Sequence, residues 1–139
     1  MTMVIASRHI LFFSLLLLAP LVVVSHVWPI STYRHVYIRN DLGNDTLLTV
    51  HCKDKNNDLG VQKLKYTEEF KFQFKPNVLG ETLYFCGLTW DGKLNWLVAF
   101  EQNRDIYFCK DLKWSILKNV ACLFNCDTQN DDTCINYTH

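Results

Sequence analysis

The residues best suited to chemistry cluster at 51–60. There the stretch HCKDKNNDLG gathers a histidine, a cysteine, two aspartates and two asparagines ahead of a glycine. Asp54, Asn56 and Asp58 stand at alternate positions, as at the start of a calcium loop. Such a loop needs glycine at its sixth position and a bidentate glutamate at its twelfth; those positions hold Leu59 and Lys65. No calcium site is expected, and an Asx-rich connection between strands accounts for the same residues. His51 beside Cys52 suggests a thiol nucleophile with its base. Adjacent residues on a strand point to opposite faces, however, so the pair cannot meet in the geometry that activation needs. Cys52 reads as half of a buried disulfide, and His51 as an outward residue packing on a neighbouring strand.

Other chemistries are no better supplied. A small secreted ribonuclease needs two positioned acid–base groups and a cation for the phosphate. Of the histidines at 26, 35, 51 and 139, only His35 and His51 stand away from the ends of the mature chain, and a hairpin would have to bring them face to face. There is no GxSxG, HExxH or phosphate-cradling glycine loop. No catalytic residue, cofactor site or metal site is expected. Trp90, Trp96 and Trp114, with Phe70, Phe72 and Phe74, offer a sugar platform, but at strand spacing large aromatics serve as core. What remains is loop chemistry in NDLGNDT, CKDKNNDLG, KPNVLGE and EQNRD, with Asp41, Asp54, Asn56, Asn57, Asp58, Asn77, Arg104 and Asp105 as candidate partner contacts. Charge reversal at Asp54 or Asp58 is expected to weaken partner binding without unfolding the domain.

These groups must be positioned by strands. Val36 and Ile38, then Leu48, Val50 and Cys52, alternate with polar neighbours, and Phe70 to Lys75 puts three rings on one face and Lys, Gln, Lys on the other. Thr82–Trp90 and Lys93–Phe100 flank Asp91-Gly92, a type I′ hairpin dipeptide. Lys113–Ile116 and Ala121–Phe124 complete the pattern, while Gly60 to Tyr66 has room for one helical turn. The expectation is all-β: a small antiparallel β-sandwich of seven or eight strands, disulfide-stapled. Its core covers 36–124, and a polar tail, 125–139, is held by its own cysteines.

Arg8 followed by the apolar run Ile10–Val24, with no acidic residue before Asp41, reads as a secretory signal peptide ending near Ser25. Residues 26–139 then form one extracellular domain with no membrane insertion. Basic and acidic residues balance at 14 each, so no bulk field favours nucleic acid. The six cysteines, 52, 86, 109, 122, 126 and 134, read as three disulfides in an oxidising compartment. Asn44 and Asn136 head sequons and are glycan acceptors outside the cell.

Taken in order, Ile38-Arg39-Asn40-Asp41-Leu42-Gly43, Leu48-Thr49-Val50-His51-Cys52-Lys53, Asp58-Leu59-Gly60, Phe70-Lys71-Phe72-Gln73-Phe74, Thr82-Leu83-Tyr84-Phe85-Cys86, Arg104-Asp105 and Cys109…Trp114-Ser115-Ile116…Cys122 resemble the plant self-incompatibility S-proteins and their homologues. The resemblance implies a small secreted β-sandwich without known catalytic residues. Its founding members are pistil ligands that meet a receptor-like partner on pollen and arrest self pollen. It therefore implies a monomeric signalling ligand for a receptor-like cell-surface protein. The competing readings are a secreted defence or hydrolase-inhibitor or glycan-binding protein and, behind it, the small ribonuclease.

The chain departs from the pattern at four places. Leu112 replaces a cysteine two residues before the tryptophan, Val120 a glycine before Cys122, and Asp54 a serine; the glycine before the Phe-x-Phe-x-Phe strand is missing. Against that pattern Cys126 and Cys134 look like an extra local bridge. The other four cysteines then have three connectivities, of which 52 with 122 and 86 with 109 is favoured.

Overall fold

The alternation at 34–40 and 69–74 folds into two strands that lie side by side, each sending its apolar residues to one interior. In the computed structural model, residues 32–139 are described; the expected signal peptide, 1–25, lies outside them. The chain forms strands β1 (Arg34–Asn40), β2 (Leu48–Lys53), β3 (Asp58–Leu64), β4 (Glu69–Phe74), β5 (Leu83–Trp90) and β6 (Lys93–Glu101). A short helix α1 (Gln102–Asp105) follows, then β7 (Asp111–Ile116), β8 (Val120–Asn125) and β9 (Asn130–Asn136). A five-stranded sheet, β4-β1-β7-β8-β9, faces a four-stranded one, β3-β2-β5-β6. The fold is the all-β, disulfide-stapled sandwich the alternation implies. Asp91 and Gly92 take positive φ, 51° and 75°, as a type I′ turn between β5 and β6 requires.

Three features exceed the expectation. There are nine strands among the described residues, because 58–64 extends as β3 where a helical turn had room, and the tail folds back as β9 against β8. One pair, β1 with β7, is parallel, His35 opposite Asp111 through Asn40 opposite Ile116. The cause is the connection through α1, which crosses from one sheet to the other and so delivers β7 beside β1 from the same end.

The core lies between the sheets. Phe72 and Phe74 of β4 meet Tyr84 of β5 at ring separations of 5.1 and 4.6 Å, and Phe74 meets Phe100 of β6 edge-on at 4.7 Å. Trp114 on β7 is buried, and its indole N–H donates 2.9 Å to the Ala99 carbonyl of the facing sheet. Trp90 is half-buried against Tyr137, while Trp96 stands on the outer surface, 37% exposed, as the exception among the aromatics assigned to the core.

The cysteines pair as 52–86, 109–126 and 122–134, so the pairing favoured from sequence is corrected throughout. Register decides it. Cys52 and Cys86 are direct neighbours on β2 and β5, and Cys122 and Cys134 on β8 and β9, with Cα atoms 4.0 Å apart in each pair. Cys52 and Cys122 belong to different sheets. Cys126 sits in the β8–β9 turn, away from Cys134, and reaches Cys109 at the entry to β7.

Candidate functional site

Strand directions sort the loops into two groups. At one end lie the β2–β3 turn (54–57), the β4–β5 loop (75–82), α1 with its exit loop (102–110) and the β8–β9 turn (126–129); the β1–β2 loop (41–47) lies at the other. The stretch 51–60 therefore spans a strand end and a turn. Cys52 is fully buried and His51 points outward, as alternation requires. His51 Nε2 lies 2.6 Å from Asp58 Oδ1 across the β2–β3 pair. That oxygen also accepts the Gly60 N–H at 2.9 Å, and these hydrogen bonds, the backbone one foremost, hold the Asp58 carboxyl below its ordinary range.

Asp54 organises the turn itself. Its carboxylate accepts the backbone N–H groups of Asn56 and Asn57 and the Asn57 side-chain amide, an Asx arrangement. Partial burial opposes its ionisation, but these hydrogen bonds, with one from Tyr84, outweigh that and hold its pKa low. Tyr84 feels the reverse. Burial first, then the neighbouring Asp54 charge, pushes its hydroxyl up to about 12. Since Asp54 and Asp58 both stabilise local structure, charge reversal at either disturbs the turn as well as the surface.

The turn forms one wall of an open groove of about 910 Å³, with the β4–β5 loop opposite and Tyr84, Phe74 and Phe85 between. Lys55 and Glu81 pair across it at 3.6 Å. The opposite wall is braced from below: Gln102 of α1 donates its side-chain amide to the Asn77 carbonyl at 2.7 Å, and its side-chain oxygen accepts the Thr82 N–H at 3.1 Å. The Asn77 side chain accepts the Leu79 N–H at 2.7 Å. On that bracing stand Val78 and Leu79, 80% and 75% exposed. The loops that carry them, KPNVLGE and EQNRD, stand out in the sequence as recognition loops, but Val78, Leu79 and Gln102 do not stand out within them; the signal for the first two is a pair of aliphatics between Pro76-Asn77 and Gly80, outside any alternating run.

Of the residues expected to contact a partner, the structure gathers Asp54, Asn56, Asn57, Asp58 and Asn77 around this groove. Arg104 and Asp105 occupy the same end but serve the interior. Asp105 is buried, accepting the Glu101 N–H and pairing with Arg104, whose guanidinium lies over the Trp114 ring. Asp41 belongs to the far end, paired with Arg39 at 3.0 Å. His35 and His51 sit on different sheets, His35 between Asp111 and Gln73, so no hairpin brings them together. Asn44 and Asn136 are both exposed.

Residues 35–137 match the sequence model of the family described as plant self-incompatibility protein S1. S-protein homolog 2 of Arabidopsis thaliana is 37% identical over 113 residues, 78% of this chain and 70% of that relative. S-protein homolog 18 of the same plant is 32% identical over 114 residues, 79% and 85% of the two chains. A solved self-incompatibility protein homologue, from a family described as small, highly stable, secreted proteins from plants, superposes with a TM-score of 0.52 at 17% identity over 67% of this chain and 84% of that one, and shares the fold. The match from His35 to Tyr137 and the identity to these relatives agree: this chain belongs to the plant self-incompatibility S1 family of S-protein homologues.

Proposed function

We propose that the protein is an extracellular recognition ligand that engages a receptor-like protein on a cell surface through the groove end of the sandwich. The observation that carries this reading is the pair Val78 and Leu79, held in water on a loop braced by Asn77 and Gln102. Aliphatic groups presented on a fixed loop gain nothing from solvent and gain by burial against a partner. The Asx-capped turn across the groove supplies polar contacts from Asn56, Asn57 and Lys55, the rim that such an interface needs.

Labelled, purified protein is expected to bind intact plant cells saturably and to lose that binding when the cells are shaved with protease. The double variant Val78→Asp, Leu79→Asp should keep its melting temperature and bind about tenfold or more weakly, the loss corresponding to about 1.4 kcal/mol. Unchanged affinity would remove this end of the molecule from the interface. Binding that survives protease but is competed by soluble glycans would replace the receptor-like partner with a carbohydrate.

A further inference from the structure

The outer face of the four-stranded sheet carries an apolar patch that runs on from the groove, whose lining includes Leu83 and Phe85, across β6. Leu83 and Phe85 from β5 and Leu94, Trp96 and Val98 from β6 all point outward, with Phe85 and Trp96 rings 6.0 Å apart. Trp96 lies against Gly87 of the neighbouring strand: a Cβ there would meet the indole at 3.4 Å, so the ring rests on backbone. The patch borders an edge strand, and both features are hazards in a secreted protein.

The chain supplies a cover. After β9 it crosses from the five-stranded sheet to the β6 edge. There the Trp96 N–H donates 2.9 Å to the Thr138 carbonyl, and the Thr138 N–H donates 3.3 Å to the Trp96 carbonyl. Directly opposed residues of an antiparallel pair project to the same face, which places Thr138 beside the outward Trp96 side chain. Tyr137 turns inward, its ring on Trp90 and its hydroxyl on the Leu117 and Val120 carbonyls, so Asn136 on the preceding position turns outward with Thr138. Asn136 itself closes β9 opposite Val120 of β8, two residues and about 7 Å along the chain from the Thr138 bridge to Trp96. Asn136 and Thr138 are the acceptor and hydroxyl positions of a sequon.

We infer that Asn136 carries an N-linked glycan whose first sugars lie over Trp96, Val98 and Leu94, covering the apolar patch and shielding the β6 edge. The sugars' C–H faces pack on the indole while their hydroxyls keep the surface wet. The other sequon, at Asn44, stands on the β1–β2 loop at the end of the sandwich remote from the groove, where Leu47 and Tyr66 are the exposed apolar neighbours and no tryptophan is among them.

The full chain, secreted from a eukaryotic host, tests this. Mass spectrometry of glycopeptides should find Asn136 modified. Enzymatic removal of the glycan from the folded protein, and separately Asn136→Gln, should raise binding of a hydrophobic fluorescent dye severalfold and promote self-association. Trp96→Ser on the Asn136→Gln background should abolish the rise, whereas any rise in Asn44→Gln, from Leu47 and Tyr66, should survive Trp96→Ser. An unmodified Asn136, or a glycan there whose removal leaves dye binding unchanged, overturns the inference. Deglycosylation of already folded protein keeps the test valid if Asn136→Gln is poorly secreted.

Discussion

Asp54 and Tyr84 set each other's proton affinity at the base of the groove, one carboxylate held low and one phenol pushed up to about 12. The signs give opposite limbs of a stability profile. Tyr84 in the folded protein keeps a proton that an unfolded tyrosine sheds near pH 10, so stability should fall as pH rises from about 10 towards 12. Asp54, with a folded pKa below its unfolded one, contributes stability that is full above the ordinary aspartate range near 3.9 and is lost as pH falls through the lower folded value. Thermal unfolding against pH should therefore show a shallower alkaline fall for Tyr84→Phe and a shallower acid fall for Asp54→Asn, each relative to the native chain. Absorbance titration should find Tyr137, also raised by burial, resisting ionisation alongside Tyr84. Sequence showed the turn, because Asp54 and its amide neighbours lie within four positions. It did not show Tyr84, thirty residues away, because that contact depends on which strand follows β2 in the sheet.

At the scale of elements, register governs what crosslinks can do. The bridged cysteines stand 34, 17 and 12 positions apart for 52–86, 109–126 and 122–134. Loop-closure entropy rises with enclosed length, so Cys52→Ala with Cys86→Ala should cost about 2–4 kcal/mol, about 1 kcal/mol more than the Cys122, Cys134 double variant. Denaturant midpoints of the two variants check the ranking. Strands with strict local alternation, such as β4 and the β5–β6 hairpin, were readable because their periodicity and turn chemistry are local. β9 was not, since Asn130–Asn136 offers Ile135 as its one packing aliphatic and is held by pairing to β8 and by Cys134. The parallel β1–β7 pair and the disulfide partners were hidden for the same reason: each is settled by which strands become neighbours.

For the molecule as a whole, the two sheets are joined chiefly by apolar packing, with the Trp114 indole bonded across the gap to Ala99. Trp114→Ala removes the largest buried side chain and should cost about 3–5 kcal/mol, a large share of the roughly 5–15 kcal/mol that holds a domain folded. Trp114→Phe keeps most of the volume but leaves the Ala99 carbonyl unpaired, for a smaller loss of about 1–3 kcal/mol. Calorimetry should order native, Phe and Ala accordingly. The carboxyl-terminal crossing to β6 has a consequence for digestion. Proteolysis that works inward from beyond Thr138 breaks the Thr138 clasp first and then strips Tyr137 from Trp90, opening one side seam of the sandwich. It then reaches Cys134, tied to Cys122, where removing a residue no longer frees a peptide from the body of the protein. The seam is thus worn back by a few residues and stopped at a covalent rivet.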